Sequence, residues 1–126
     1  MNDESCRDLP TLVVVDLGAT DTRGHDGVVW SLPHGGDLDA NLVHLDADGL
    51  IGAHVNNEVD VAMSVMSGSG ALVVDGVHHD LSVDVFASIP KGVQREVRVG
   101  SDGITYLSIH RRRSPLVIGV RPTGPS

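Results

Sequence analysis

Seven histidines, one tyrosine and a short arginine cluster are the side chains of this 126-residue sequence best suited to proton transfer, ligand binding or metal ligation. His78 and His79 are adjacent, so on a strand their imidazoles point to opposite faces and only one of them can enter a cavity. Adjacency of this kind makes no metal clamp. Tyr106, Ser108 and His110 fall at two-residue steps, so one strand face presents them as a polar row from which Tyr106 can donate to a ligand. His44 lies on the opposite strand face from Asn41, a position that can neighbour a cavity. Arg111, Arg112 and Arg113 form the densest positive feature, suited to an anion but too short to make a nucleic-acid footprint. A His-Glu-x-x-His helix, a phosphate-binding glycine loop, a dinucleotide fingerprint and a Cys/His zinc spacing do not occur, so hydride transfer and nucleotide hydrolysis lack support.

The elements that must position these groups are strands. Twenty valines, 15 glycines and an aromatic content of 2% describe β-branched residues that pack on pleated surfaces, punctuated by turns. Apolar runs fall at 12–15, 28–32, 41–45, 59–66, 71–74, 83–89, 93–99, 104–110 and 115–120, with a return strand starting at Val77. Between them lie the turn signals Pro33-His34-Gly35-Gly36, Ser67-Gly68-Ser69-Gly70, Asp75-Gly76, Pro90-Lys91-Gly92 and Ser101-Asp102-Gly103. No amphipathic pattern of helix length competes, and at least eight short strands predict an all-β sandwich or barrel. Met63 and Val65 share one face of their strand and supply an apolar lining, and Trp30 and Phe86 are expected to fill the core.

The length fits one domain: a loose arm over 1–10, a barrel over 11–120 and a tail over 121–126. A formal charge of −8 argues against nucleic acid or an anionic membrane as partner. The charge is uneven, with 12 acids and two bases in residues 1–60 against five acids and seven bases in 61–126. No window approaches the roughly 18 apolar residues of a spanning helix, and the acidic start lacks the basic n-region of a leader. With the single Cys6 unable to form an internal disulfide, a cytoplasmic location is expected.

The stretch from Gly49 to His110 resembles the cupin family. Its first motif, a glycine, a His-x-His pair, a glutamate and a closing glycine, is matched by Gly49, His54, Asn56, Val61 and Gly68, and its second by Ile89-Pro90-Lys91-Gly92. The hairpin Val73-Val74-Asp75-Gly76 matches the turn between them. The resemblance implies an antiparallel cupin-like β-barrel, or jelly roll, and a homodimer. Carried over position by position, the family's four metal ligands become His54, Asn56, Val61 and Arg95, and a spacing shorter by one residue replaces Val61 with Asp60.

The substitutions change the chemistry of that site. A divalent metal needs several imidazole or carboxylate ligands, whereas a guanidinium stays protonated, offers no lone pair and repels the cation. The expectation is therefore a barrel without a metal or other cofactor, a weak divergent site on His54 and Asp60 being the alternative. With Arg95 as a fork for a carboxylate or phosphate, and His54, Asn56, Asp60 and Tyr106 adding hydrogen bonds, the interior suits a small polar or anionic molecule. As an enzyme it would use His54 to exchange a proton and Arg95 to stabilise negative charge, the roles that isomerisation, cyclisation or dehydration require. Two other readings stand beside it. One is a metal-dependent oxygenase or isomerase built on His54, Asp60 and one of His44, His78, His79 or His110, and the other is a non-catalytic dimeric structural or regulatory protein.

Overall fold

The computed structural model describes residues 12–33 and 36–113. The arm over 1–10 with Cys6, part of the Pro33–Gly36 turn, the run at 115–120 and the tail over 121–126 lie outside the described residues. A 3-10 turn at Leu17–Ala19, capped by the Asp16 carboxylate accepting from Gly18 N, precedes seven strands. These are β1 (Gly27–Ser31), β2 (Leu38–Leu45), β3 (Leu50–Val55), β4 (Val61–Val74), β5 (Val77–Leu81), β6 (Phe86–Ile89) and β7 (Gln94–Arg111). The run at 12–15 is not a strand: Leu12 and Val14 are each 87% exposed, and among the described residues no strand pairs with it. Asp75 (φ 51°) and Gly76 (φ 78°) turn β4 into β5 as the sequence predicts, because a two-residue turn that matches strand twist needs positive φ at both positions.

Two expected turns are kinks instead. Ser67-Gly68-Ser69-Gly70 lies inside β4, and Ser101-Asp102-Gly103 lies inside β7, so four expected strands become two long ones. β4 and β7 pair antiparallel along their whole lengths, with register shifts between Val65 and Ser67 and between Gly68 and Gly70. Residues 100–103 sit opposite Ser69, between the pairs Gly68↔Ile104 and Gly70↔Val99. The glycines are needed because the two backbones touch: a Cβ on Gly68 would meet the Gly103 carbonyl, and one on Gly70 the Arg98 carbonyl.

The kink divides the sheet into two layers. The first half of β7 and the second half of β4 lie between β3 and β5, while their other halves lie between β2, which carries β1, and β6. Alternation turns one face of each layer inward. Val43, Leu45, Met63, Val65, Ile104 and Tyr106 from one layer meet Leu72, Leu81, Val97 and Val99 from the other. Each such aliphatic side chain contributes about 1.5–3 kcal/mol by leaving water.

Among the described residues the barrel expected from the resemblance does not close. The hydrogen-bonded order β1-β2-β7-β4-β5 ends at β1 and β5, with β3 attached only to β7 and β6 only to β4. β5 and β6 follow one another along the same edge of β4, at Gly70–Val74 and Val61–Ser64, so neither serves as the other's hydrogen-bonding partner. The architecture is an all-β, antiparallel sheet folded over its own core but open at its edges. Among the described residues no helix is long and apolar enough to cross a membrane.

Candidate functional site

Between the layers, β3 and β7 on one side and β4, β6 and β7 on the other enclose a small cavity of about 30 Å³. Its lining combines the apolar Ile51, Val61, Met63, Ile89 and Val97 with the polar His54, Arg95, Tyr106 and Ser108. His54 and Arg95 are cross-strand partners of β3 and β7, which brings an imidazole and a guanidinium to one wall. Tyr106 and Ser108 come from the far half of β7, two residues apart on its inward face.

Arg95 is 3% exposed, yet among the described residues its side chain makes one hydrogen bond, from Nη1 to the Val93 carbonyl at 3.4 Å. No ion pair among the described residues includes it. Burial pulls its pKa below the usual arginine value; Tyr106 opposes that shift, and the nearby positive charge of Arg113 reinforces it. Arginine nevertheless remains a cation in proteins. The Tyr106 phenol is pushed up to about 12 by burial, Arg95 pulling the other way, so at neutral pH it keeps its proton and is a donor.

His54 Nδ1 lies 2.9 Å from the Gly52 carbonyl, and because a carbonyl only accepts, Nδ1 carries the proton. In the neutral ring this leaves the lone pair on Nε2, and that atom is buried with no hydrogen-bond partner. An unmet buried polar atom costs about 1–3 kcal/mol, and a buried unneutralised cation more. The cavity therefore concentrates positive charge and unmet hydrogen-bonding capacity in one place. It can hold an anionic head group against Arg95, and in its neutral form His54 can take a proton at Nε2.

The other residues singled out in the sequence are placed elsewhere. Asp60 is exposed, its Oδ1 accepting from Lys91 N at 2.9 Å, because alternation along β4 sends the buried Val61 inward. Asn56 is buried beside the cavity but does not line it; its Oδ1 accepts from Glu58 N and Val59 N at 2.9 and 3.2 Å and shapes the β3–β4 connection. His44 Nδ1 meets Thr105 Oγ1 at 2.8 Å, and His110 Nδ1 meets the Arg111 carbonyl at 2.8 Å. His78 and His79 are exposed on β5. The arginine cluster is engaged with Glu58 and the Gly36 carbonyl. Ser108 is the site residue that the sequence reading left out, although its two-residue spacing from Tyr106 was the signal for it.

Among the described residues no group of three or more His, Cys, Asp or Glu side chains is placed to hold a metal ion. The cavity's own donor set does not fit a divalent cation either, since its single imidazole faces a fixed guanidinium that repels the ion.

No protein-family model matches the sequence, and no curated protein matches it. Solved structures do. The chain is similar to a protein from Bacillus halodurans, with 20% identity over 84% of this chain and 86% of that one, at a TM-score of 0.72. It is similar to a cupin protein from Bacteroides fragilis, with 21% identity over 70% and 80% of the two chains and a TM-score of 0.57. It is also similar to KdgF from a Halomonas species, with 20% identity over 67% and 77% and a TM-score of 0.59.

Proposed function

Because the chain has the cupin fold, we propose that it is a cupin that works without a metal and binds a small molecule by an anionic group. One observation carries this reading: a buried Arg95, in no ion pair among the described residues, shares a cavity with the donors Tyr106 and Ser108 and with His54, whose Nε2 has no hydrogen-bond partner. A carboxylate or phosphate oxygen there neutralises the guanidinium, accepts from Tyr106 and Ser108, and offsets the desolvation already present in the free protein. If a reaction follows, His54 is the group that exchanges a proton with the ligand, and Arg95 stabilises the negative charge that results. Isomerisation, cyclisation and dehydration of an oxygenated molecule all use that pair of roles.

Thermal unfolding in the presence of phosphate and a panel of small mono- and dicarboxylates tests the proposal. A bound anion at a hundredfold excess over its Kd should stabilise the fold by about 2.7 kcal/mol. A panel in which no anion raises Tm beyond the effect of matched ionic strength with chloride would sink it.

Pairing of two copies belongs to the same proposal. The outer face of the layer that holds β2 and β6 carries Leu38 and Phe86, 55% and 65% exposed, apolar area that a second copy would cover. Light scattering should return twice the 13.2 kDa chain mass, and the mass of a single chain would remove the pairing from the proposal.

A further inference from the structure

The cavity at Arg95 is too small for a whole metabolite. At about 30 Å³ it has room for a water or the oxygens of one acidic group, so the rest of any ligand must lie outside it. A second, far larger space adjoins it. The side of the fold where β5 and β6 fail to pair with each other is a cleft of about 490 Å³. Nine of its twelve lining side chains are apolar, among them Leu72 and Leu81 from one layer and Val85, Ala87 and Val93 near β6. Ile89 lines both spaces, standing between the cationic cavity and the apolar cleft.

We propose that the ligand is an amphipathic monocarboxylate: its carboxylate sits against Arg95 and accepts from Tyr106 and Ser108, its alkyl or aryl body fills the β5–β6 cleft, and Ile89 is the partition it passes. The proposal rests on the anionic-head reading above and adds the class of molecule that carries the head. Charge and shape both point to it. The cation lies in the small space and the apolar wall in the large one, with Ile89 common to both, so a molecule with the charge at one end satisfies both. A ligand with polar groups throughout would strand them against Leu72, Leu81 and Val85.

The test is a titration of the full chain with acetate, butanoate and hexanoate, followed by amide chemical shifts, with hexan-1-ol as the uncharged control. Affinity should rise by about fourfold for each methylene that enters the cleft, and hexan-1-ol should bind far more weakly than hexanoate. Ala87→Phe, which fills the cleft, should remove the chain-length gain. The wild-type series decides the matter even if that variant fails to fold. Acetate binding with no gain for hexanoate overturns this inference and leaves the anionic head in place. Equal binding of hexan-1-ol and hexanoate breaks the link between cleft and cation, and no binding by any carboxylate overturns both proposals.

Discussion

Replacing Arg95 with methionine is expected to abolish the response to anions while making the free protein more stable. The two effects have one origin. Arg95 is buried and has no carboxylate partner among the described residues, so the folded chain carries the desolvation of a guanidinium without the attraction that normally offsets it. Methionine has a similar length, fills the same irregular space between Val61, Met63 and Val97, and has no charge to desolvate. Exchanging buried ionic groups for well-packed apolar ones typically gains about 1–4 kcal/mol, which urea denaturation resolves easily. On the binding side, removing one member of a buried charge pair costs about 2–5 kcal/mol, a loss of roughly 30- to 4,000-fold in affinity. Arg95→Lys keeps the charge and loses the planar fork, so it should fall between. A variant that loses stability and keeps its anion response would show that Arg95 serves the fold and not a ligand.

Gly68→Ala is expected to be the most damaging small substitution at the kink. Gly68 has φ 78°, a left-handed conformation that costs a residue with a Cβ about 1–3 kcal/mol. The added methyl is also aimed at the Gly103 carbonyl, and backbone on the facing strand cannot swing aside as a side chain can. The two terms together place the loss at about 3–5 kcal/mol, at the far end of single-residue effects. Gly52→Ala is the matched control: nothing lies within 4 Å of its Cβ position, so a change of under about 1 kcal/mol is expected. Urea midpoints for the two variants check the pair. Similar midpoints would mean that the layers can shift apart at the kink without loss.

Much of the fold was legible in local signals. Valine-rich runs marked the strands, and Asp75-Gly76 marked the one tight hairpin, because both depend on the residues themselves. The continuity of β4 and β7 was not legible. Ser-Gly-Ser-Gly has the same composition whether the chain reverses there or merely bends, and the difference lies in the facing residues 100–103, some 30 positions away. Closure was misread for a related reason: it depends on whether distant edges meet, and no residue of β5 or β6 encodes that by itself. At the site, alternation placed Tyr106 and Ser108 on one inward face of β7, the irregular residues 100–103 shift the inward parity so that Arg95 faces the same side, and pairing with β3 added His54. Asp60 and Asn56 stood at fitting positions in the sequence, but the Asp60 carboxylate and the Asn56 amide oxygen accept from backbone N–H groups of nearby turns, while Asn56 Nδ2 is buried without a hydrogen-bond partner.

A sheet that does not close has borders, and borders are where strands from other molecules can add on and begin a fibril. Here every border is poor ground for such growth. β1 and β5 are five residues long, β6 four and β3 six, and both β1 and β3 carry a register shift that bends the backbone away from a flat template. β5 adds His78, His79 and Asp80 along its exposed length, placing polar groups where an incoming strand would have to lie. The long strands that would polymerise most readily, β4 and β7, are flanked on both sides by other strands of the same chain. The arrangement that leaves the cleft open for a ligand thus keeps the aggregation-prone part of the sequence in the interior of the sheet.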